Sequence, residues 1–228
     1  MRIVALVPAF NEEHRIAATI QAIAKIPQLD QIVVIDDGSR DNTADVARKN
    51  NAHLIRLEKN KGKGGALNTG WQQVPADIYL LLDADLEHSA ILGGELLLPL
   101  IEDKADMSIA NFVGDQVDEK EGKTGFGLAK GVARLGIRCL SGYKASSPLS
   151  GQRAVSAQIL RSCGGVAQDF GVEVGLTIDA VRAGFRVVEV DLPMTHRATG
   201  RDIAGFKHRG RQLWIVLKTM WRIWRRYP

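Results

Sequence analysis

The chain has 228 residues, of which 45% are hydrophobic and 25% are charged, and these fractions exclude a disordered, a collagen-like and a disulfide-rich protein. A chain of this length can bury most of the surface that it exposes when unfolded, so one domain is the simplest interpretation. The net charge is +4, but residues 196–228 carry nine Lys and Arg against one Asp, whereas the other 195 residues carry 21 basic and 25 acidic side chains.

The first half of the chain alternates between predicted strands and predicted helices. Residues 1–8 form an apolar run that meets a proline before any cleavage-site pattern, which predicts a strand and not a signal peptide. No run approaches the length of a membrane span, about 18 apolar residues. The predicted strands are Ile3–Val7, Gln31–Ile35, His53–Leu57, Ile78–Leu82 and Met107–Ala110, and the predicted helices are Glu12–Lys25 and Asp41–Lys49, the second capped by Ser39, Asp41 or Asn42.

The second half of the chain continues the alternation less regularly. Polar residues 112–125 predict a loop, and the next helix contains Leu128, Val132, Leu135 and Ile137. An extended segment over Pro148–Val155, a helix over Gly171–Ala183 and a strand over Phe185–Val190 follow. Alternating strands and helices are typical of an α/β fold with a mostly parallel sheet covered by helices on both faces.

Polar clusters directly follow three of the predicted strands. They are Pro8–Glu13, Asp36–Ser39 and Asp83–Asp85. In open parallel sheets, ligands bind beyond the carboxyl ends of the strands. We therefore expect these three clusters to share one edge of the sheet and to form the site.

The triplet Asp83-Ala84-Asp85 follows a buried apolar run. If the strand alternation continues, both carboxylates point to one side, a geometry suited to a hard divalent cation that bridges the protein and a diphosphate. Glu87 offers a third oxygen ligand. The alternative is a pair of strand-end acids that cap the next helix.

The segment Asn60–Leu67 is rich in glycine and opens a predicted helix, so its backbone N–H groups can face an anion. It lacks the Walker A pattern, and no GxGxxG follows the first strand, so P-loop, kinase and dinucleotide-binding functions are disfavoured. A flexible solvated turn is the alternative.

The adjacent acids Asp36 and Asp37 end the second predicted strand, where they can accept hydrogen bonds from a base N–H and from ribose hydroxyls. Turn and cap chemistry explains Gly38, Ser39 and Asp41 equally well, but not two neighbouring carboxylates.

The order of these motifs resembles the family 2 glycosyltransferases of the GT-A fold, which transfer a sugar from a nucleotide diphosphate sugar. Residues 8–13 resemble the family's PxxNEE, Asp36–Ser39 its DDGS and Asp83–Asp85 its DxD. The resemblance covers most of residues 1–90. It implies a GT-A sheet, a Mg²⁺ or Mn²⁺ cofactor, and donor-binding residues among the matching positions: Pro8, Ala9, Asn11, Glu12, Asp36, Asp37, Lys63, Asp83, Ala84 and Asp85.

Two subgroups of the family share features with this chain. Residues 83–88, DADLEH, resemble the DADLxH of polyprenyl-phosphate sugar transferases, in which the residue matching Glu87 helps to hold the metal. The segments 62–67 and 170–179 and the pair His196-Arg197 instead resemble glucosyl-3-phosphoglycerate synthase. That resemblance implies that Lys63 contacts the nucleotide, that Glu173 lies beside the acceptor and that His196 completes a metal site with Asp85 and Glu87.

Several of these residues also have plain structural interpretations. His196 fits the metal only when neutral, and the alternative is a surface histidine beside a basic tail. Glu173 is either a base or acceptor contact, or a helix N-terminal acid stabilised by the macrodipole. The predicted catalytic residues are Asp83, Asp85, Asp169 and Glu173. Gln152 and Arg153 are the predicted acceptor contacts, with Arg153 as the fork for a phosphate and an exposed ion pair as its alternative.

The basic tail has its own pattern. Residues 207–227 place Leu213, Leu217, Met220 and Trp224 on one helical stripe, with Trp214 and Trp221 alongside. Tryptophans flanked by arginines suit an anionic lipid surface, and the alternative is a helix packed on the domain or on a second subunit of a homodimer. Nucleic acid is disfavoured because no recognised binding module accompanies the charge.

These observations predict a GT-A catalytic domain over residues 1–195 and a basic C-terminal segment over residues 196–228. The predicted function is metal-dependent transfer of a hexose from a UDP- or GDP-sugar to a phosphorylated acceptor, which is either a lipid such as a polyprenyl phosphate or a small metabolite. A sugar-1-phosphate nucleotidyltransferase and a non-catalytic sugar-nucleotide binding module at the membrane are the alternatives. Cys139 and Cys163 lack CxxC spacing, which favours the reducing cytoplasm, and the basic tail adds the inner face of the membrane as an alternative location.

Overall fold

The structure, a computed structural model, describes residues 1–113, 125–167 and 171–194. Seven strands in these ranges form one sheet: β1 (Ile3–Ala9), β2 (Gln31–Asp36), β3 (His53–Arg56), β4 (Ile78–Leu81), β5 (Met107–Phe112), β6 (Arg153–Ser156) and β7 (Val187–Leu192). The helices are α1 (Ile16–Ile23), α2 (Thr43–Lys49), α3 (Gly62–Gln73), α4 (Leu98–Ile101), α5 (Gly125–Ser141), α6 (Ala157–Cys163) and α7 (Val172–Arg182), and a 3₁₀ helix spans Glu87–Leu96.

The strand order is β3-β2-β1-β4-β6-β5-β7. β6 is antiparallel to β4 and β5, and the other neighbouring strands are parallel. Because β6 runs against β4, the residues before β6 meet the residues after β4, and Arg153 is paired with Leu81. This arrangement places residues 150–152 at the edge of the sheet where the predicted polar clusters lie.

Hydrophobic clusters cover both faces of the sheet. One contains Ile16, Ile20 and Ile23 of α1, which pack against one face. A second contains Leu67 of α3 and Leu176 of α7 on the other face. The central strands are therefore buried on both sides, as expected for a mostly parallel sheet, and the prediction of the fold class is confirmed.

The predicted strands are confirmed with end shifts of one or two residues, except the extended segment over 148–155. Only Arg153–Ser156 forms a strand, because the backbone N–H of Ser150 turns back to the carbonyl of Ser147 at 3.2 Å. The first helix starts at Ile16 instead of Glu12. Most of the predicted loop over 112–125 and all of the C-terminal segment 196–228 lie outside the described residues. In the part that the structure describes, no helix is long and apolar enough to cross a bilayer.

Candidate active site

The loops after β1 and β2 are locked together. The backbone N–H of Asn11 donates to Ser39 Oγ at 2.9 Å, and Asn11 Oδ1 accepts from the backbone N–H of Arg40 at 2.9 Å. The backbone N–H of Glu12 donates to Thr43 Oγ1 at 2.8 Å. Asn11 has a φ of 58°, which an asparagine tolerates better than most residues. The two motifs therefore form one rigid rim of the site.

Asp36 and Asp37 are buried beneath this rim, with 0% and 3% of their surface exposed. Asp36 Oδ1 accepts the Ser39 N–H at 3.0 Å, and Asp36 Oδ2 lies 3.2 Å from Arg56 Nε. Asp37 Oδ1 accepts the Lys61 N–H at 2.7 Å. Burial raises the pKa of the Asp37 carboxyl, although the hydrogen bond from Lys61 acts in the opposite direction. In each carboxylate, Oδ1 accepts a backbone N–H of the protein.

The glycine-rich segment forms the first turn of α3, and the anion that its start faces is the protein's own Asp37 carboxylate. The backbone N–H of Lys61, the residue before α3, points to Asp37, as described above. A Cβ on Gly64 would lie only 2.1 Å from the carbonyl oxygen of Ala167. Gly64 is thus required for the close approach of α3 and residue 167, a packing role that the sequence analysis did not anticipate.

Four predicted residues meet at the centre of the site, and we refer to them as the Lys63 cluster: Lys63, Asp83, Gln152 and Glu173. Lys63 Nζ lies 2.7 Å from Asp83 Oδ1 and 3.0 Å from Glu173 Oε1. Gln152 Nε2 donates to Asp83 Oδ2 at 2.9 Å. Burial opposes the charge on Lys63, but the carboxylates of Asp83 and Glu173 outweigh it and raise the pKa of the ammonium group. Lys63 is therefore a fixed cation between two carboxylates.

Asp85 lies in a different environment from Asp83. β4 ends at Leu81, so the strand alternation that predicted a shared direction does not extend to these residues. The carboxylate of Asp85 acts electrostatically on Glu12 and Arg15, and Arg15 Nε donates to Glu12 Oε2 at 2.8 Å. Burial raises the pKa of Glu12, and Asp85 adds to this effect. Alternation therefore gives no support for a shared direction, and the two acids act on different neighbours.

Thr19 of α1 fixes that turn. Its hydroxyl donates to the carbonyl of Ala84 at 2.8 Å and accepts the backbone N–H of Glu87 at 2.9 Å. Thr19 is completely buried. The sequence analysis missed this residue, since nothing in the helical pattern distinguishes a buried threonine that holds a distant turn from an ordinary core residue.

Asp85 and Glu87 supply carboxylate oxygens, the ligands that Mg²⁺ and Mn²⁺ prefer. Within ranges 1–113, 125–167 and 171–194, no group of three His, Cys, Asp or Glu residues is placed to hold a metal ion. His196, the predicted third ligand, lies outside the described residues, as does Asp169. The carboxylates of Asp85 and Glu87 fit the chemistry of a hard divalent cation.

Arg153 is 1% exposed, so the alternative of an exposed ion pair is wrong. Its Nε donates to the carbonyl of Ser150 at 2.9 Å and its Nη1 to Thr177 Oγ1 at 2.8 Å. Burial lowers the pKa of the guanidinium to about 10, although Glu173 favours the charged form. Gln152 is 2% exposed and bonded to Asp83. In this conformation neither predicted acceptor contact is open to solvent.

Comparisons with known proteins assign the chain to a family. The sequence profile described as "Glycosyl transferase family 2" matches residues 4–142, which is more than half of the chain. The chain belongs to glycosyl transferase family 2. It is therefore a glycosyltransferase, and the predicted family is confirmed.

Three relatives of this family 2 enzyme illustrate its range. An uncharacterized protein of Methanocaldococcus jannaschii, MJ1222, is 30% identical over 196 residues, covering 82% of this chain and 79% of its own. The UDP-N-acetylglucosamine–dolichyl-phosphate N-acetylglucosaminyltransferase of Methanococcus voltae is 29% identical, covering 68% of this chain and 70% of its own. The crystal structure of Mycobacterium tuberculosis glucosyl-3-phosphoglycerate synthase with Mn²⁺, UDP and phosphoglyceric acid is 27% identical, with a TM-score of 0.80, covering 97% of this chain and 78% of that one.

Proposed function

We propose that this family 2 glycosyltransferase moves a hexose from a nucleotide diphosphate sugar to a phosphorylated acceptor, with Mg²⁺ or Mn²⁺ as cofactor. The observation that carries the proposal is the Lys63 cluster, a cation held between two carboxylates at the carboxyl edge of the sheet. The two relatives with established names support the acceptor class, since one is named for a dolichyl phosphate and the other is bound to phosphoglyceric acid.

The donor diphosphate gains negative charge as the bond to the sugar breaks. Lys63 can neutralise part of that charge when its ammonium exchanges the carboxylate of Glu173 for a phosphate oxygen. Asp83, held by Gln152 and Lys63, then contacts the donor ribose or sugar. Asp36 and Asp37 bind the nucleoside, with the loop residues Pro8, Ala9, Asn11 and Glu12 around it.

Asp85 and Glu87, with His196, would hold the metal ion. The bound ion supplies Lewis-acid stabilisation of the leaving diphosphate. Glu173, the second carboxylate beside Lys63, contacts the acceptor. Asp169 completes the proposed catalytic set, and Gln152 holds Asp83 in place. The rim and the partly exposed Lys63 cluster together give the donor its site.

The proposed setting is the cytoplasm or the inner face of the membrane. Residues 207–227 would attach the enzyme to anionic lipid, which favours a lipid phosphate as the acceptor, and packing of this segment against a second subunit would favour a small phosphorylated metabolite.

Donor turnover tests the proposed reaction. Purified protein is incubated with UDP- and GDP-hexoses in Mn²⁺, in Mg²⁺ and in EDTA, and the products are identified. We expect one donor to release its nucleoside diphosphate and free sugar in the presence of either metal, with loss of turnover in EDTA. Release of a sugar 1-phosphate together with a nucleoside triphosphate when pyrophosphate is added would instead show nucleotidyl transfer, and the absence of turnover for every donor would refute the proposal.

A further inference from the structure

Arg153 is one of the largest fully buried side chains in the described part of the chain. Removing a guanidinium from water is unfavourable unless its donors are well used. Two of its nitrogens are used, in the bonds to Ser150 and Thr177, whereas Nη2 has no hydrogen-bond partner among the described residues. A charged group that is buried and incompletely satisfied needs an explanation beyond stability.

The two bonds of Arg153 reach both sides of the Lys63 cluster. Ser150 precedes the Gly151-Gln152 pair, and Gln152 holds Asp83. Thr177 is on α7, where its hydroxyl accepts from Arg153 and donates to the backbone carbonyl of Glu173 at 2.8 Å. The guanidinium thus joins the segment that holds Asp83 to the helix turn that carries Glu173.

The burial of Arg153 argues against direct contact with a phosphate. The side chain is 1% exposed, and its two bonded nitrogens face the protein's own oxygens. A fork for a dissolved or lipid phosphate would have to present its nitrogens toward the open site. These contacts indicate that Arg153 links two parts of the protein and does not bind a ligand directly.

We propose that Arg153 is a positioning residue of the transfer reaction: through the Ser150 carbonyl and the Thr177 hydroxyl it sets the separation of Asp83 and Glu173, and so the position of the Lys63 ammonium. This inference rests on the proposed function, because it assigns Arg153 a role in the same site. Thr177 connects Arg153 to Glu173, because its hydroxyl accepts a hydrogen bond from Arg153 and donates one to the backbone carbonyl of Glu173.

Thr177 offers a matched pair of variants. Thr177→Val removes the hydroxyl with little change of shape, and Thr177→Ser keeps it. Turnover of the active UDP-hexose with Mn²⁺ is measured as kcat and KM for transfer to water, alongside the unfolding midpoint. We expect Thr177→Val to lower kcat at least tenfold with a change in KM below threefold, and Thr177→Ser to stay within threefold of the parent enzyme.

Ser108→Ala is the control for loss of another buried hydroxyl, since Ser108 Oγ donates to the carbonyl of Leu96, which is not a member of the Lys63 cluster. It should lower the unfolding midpoint and leave kcat unchanged. Thr177→Val that lowers only the midpoint, as Ser108→Ala does, would overturn the inference.

Arg153→Lys tests this link from its other end. One ammonium cannot reproduce the fork that spans Ser150 and Thr177, so kcat should fall as in Thr177→Val. Combined with Thr177→Val, it should lower kcat no further than the more damaging single change. Multiplicative losses would show that the two residues act separately and would overturn the inference. A parent enzyme that turns over no donor would refute the proposed function itself, which distinguishes the two failures.

Discussion

Gly151 lies where the structure leaves no room for a side chain. A Cβ at this position would be 2.3 Å from Lys63 Nζ and 2.9 Å from Asp83 Oδ2. The lysine tip can move, but it must retreat by about 1 Å to reach ordinary van der Waals contact, which begins near 3.4 Å. That retreat breaks the 2.7 Å contact between Lys63 and Asp83. Gly151→Ala therefore displaces the central cation without changing any charge.

The two expected consequences differ in size. The Lys63 and Asp83 side chains are 23% and 33% exposed, so loss of their contact should lower the free energy of unfolding by only about 1 kcal/mol. Displacement of a catalytic group by about 1 Å can lower a rate by roughly a hundredfold. Gly151→Ala should accordingly fold and lose between about ten- and a hundredfold of its donor turnover. Steady-state release of UDP from the active UDP-hexose with Mn²⁺, together with urea unfolding, measures both quantities.

Gly131 provides the matched control. It lies within α5, and a Cβ there would meet no atom within 4 Å. Gly131→Ala should keep full turnover and gain about 0.5–1 kcal/mol of stability, because alanine loses less conformational freedom than glycine in a helix. If Gly151→Ala retains parental turnover, the Lys63–Asp83 contact has no part in donor chemistry.

The remaining predictions concern charge. Asp37→Asn should raise the unfolding midpoint at pH 7, because burial raises the pKa of Asp37 and the ionised carboxylate therefore destabilises the fold. The gain should disappear as the pH falls to about 4, where the carboxyl is protonated in both states. An unchanged midpoint at pH 7 contradicts this. Lys63→Met should have a lower free energy of unfolding than the parent. The difference should stay constant between pH 7 and about pH 10 and shrink at higher pH, because the two carboxylates raise the pKa of Lys63. A difference that already shrinks between pH 7 and 9 argues against the ion pairs. A chain ending before Lys207 should lose co-sedimentation with anionic vesicles that the intact chain shows at low salt, since each basic residue contributes on the order of 1 kcal/mol; equal sedimentation would assign the tail to packing or a dimer.

The sheet was predictable because its strands are short apolar runs that end in polar residues. The start of α1 was not. Glu12 and Glu13 fit the helical pattern, but their backbone N–H groups donate to Thr43 and Asp41 of the neighbouring loop. These contacts join residues about 30 positions apart, and hydrophobic periodicity carries no information about them.

The site was predictable as a group of residues and not as a set of contacts. The motifs predicted Lys63, Asp83 and Glu173 as site residues, and the structure brings both carboxylates within hydrogen-bond distance of the Lys63 ammonium. The hydrogen bond from Gln152 to Asp83 depends on β6 running antiparallel to β4. The sequence of a four-residue strand does not indicate its direction in the sheet. The burial of Arg153 has the same origin, since it follows from the position of β6 in the middle of the sheet.

Acceleration of donor turnover by a phosphorylated acceptor tests the proposed reaction most directly. The release of UDP from the active UDP-hexose is measured with Mn²⁺ alone, with a polyprenyl phosphate in vesicles and with 3-phosphoglycerate in solution, and the unphosphorylated polyprenol and glycerate serve as matched controls. We expect one phosphorylated compound to raise UDP release at least tenfold and to acquire the sugar, while its unphosphorylated partner does neither. Equal release with each phosphorylated compound and its partner would contradict a phosphorylated acceptor.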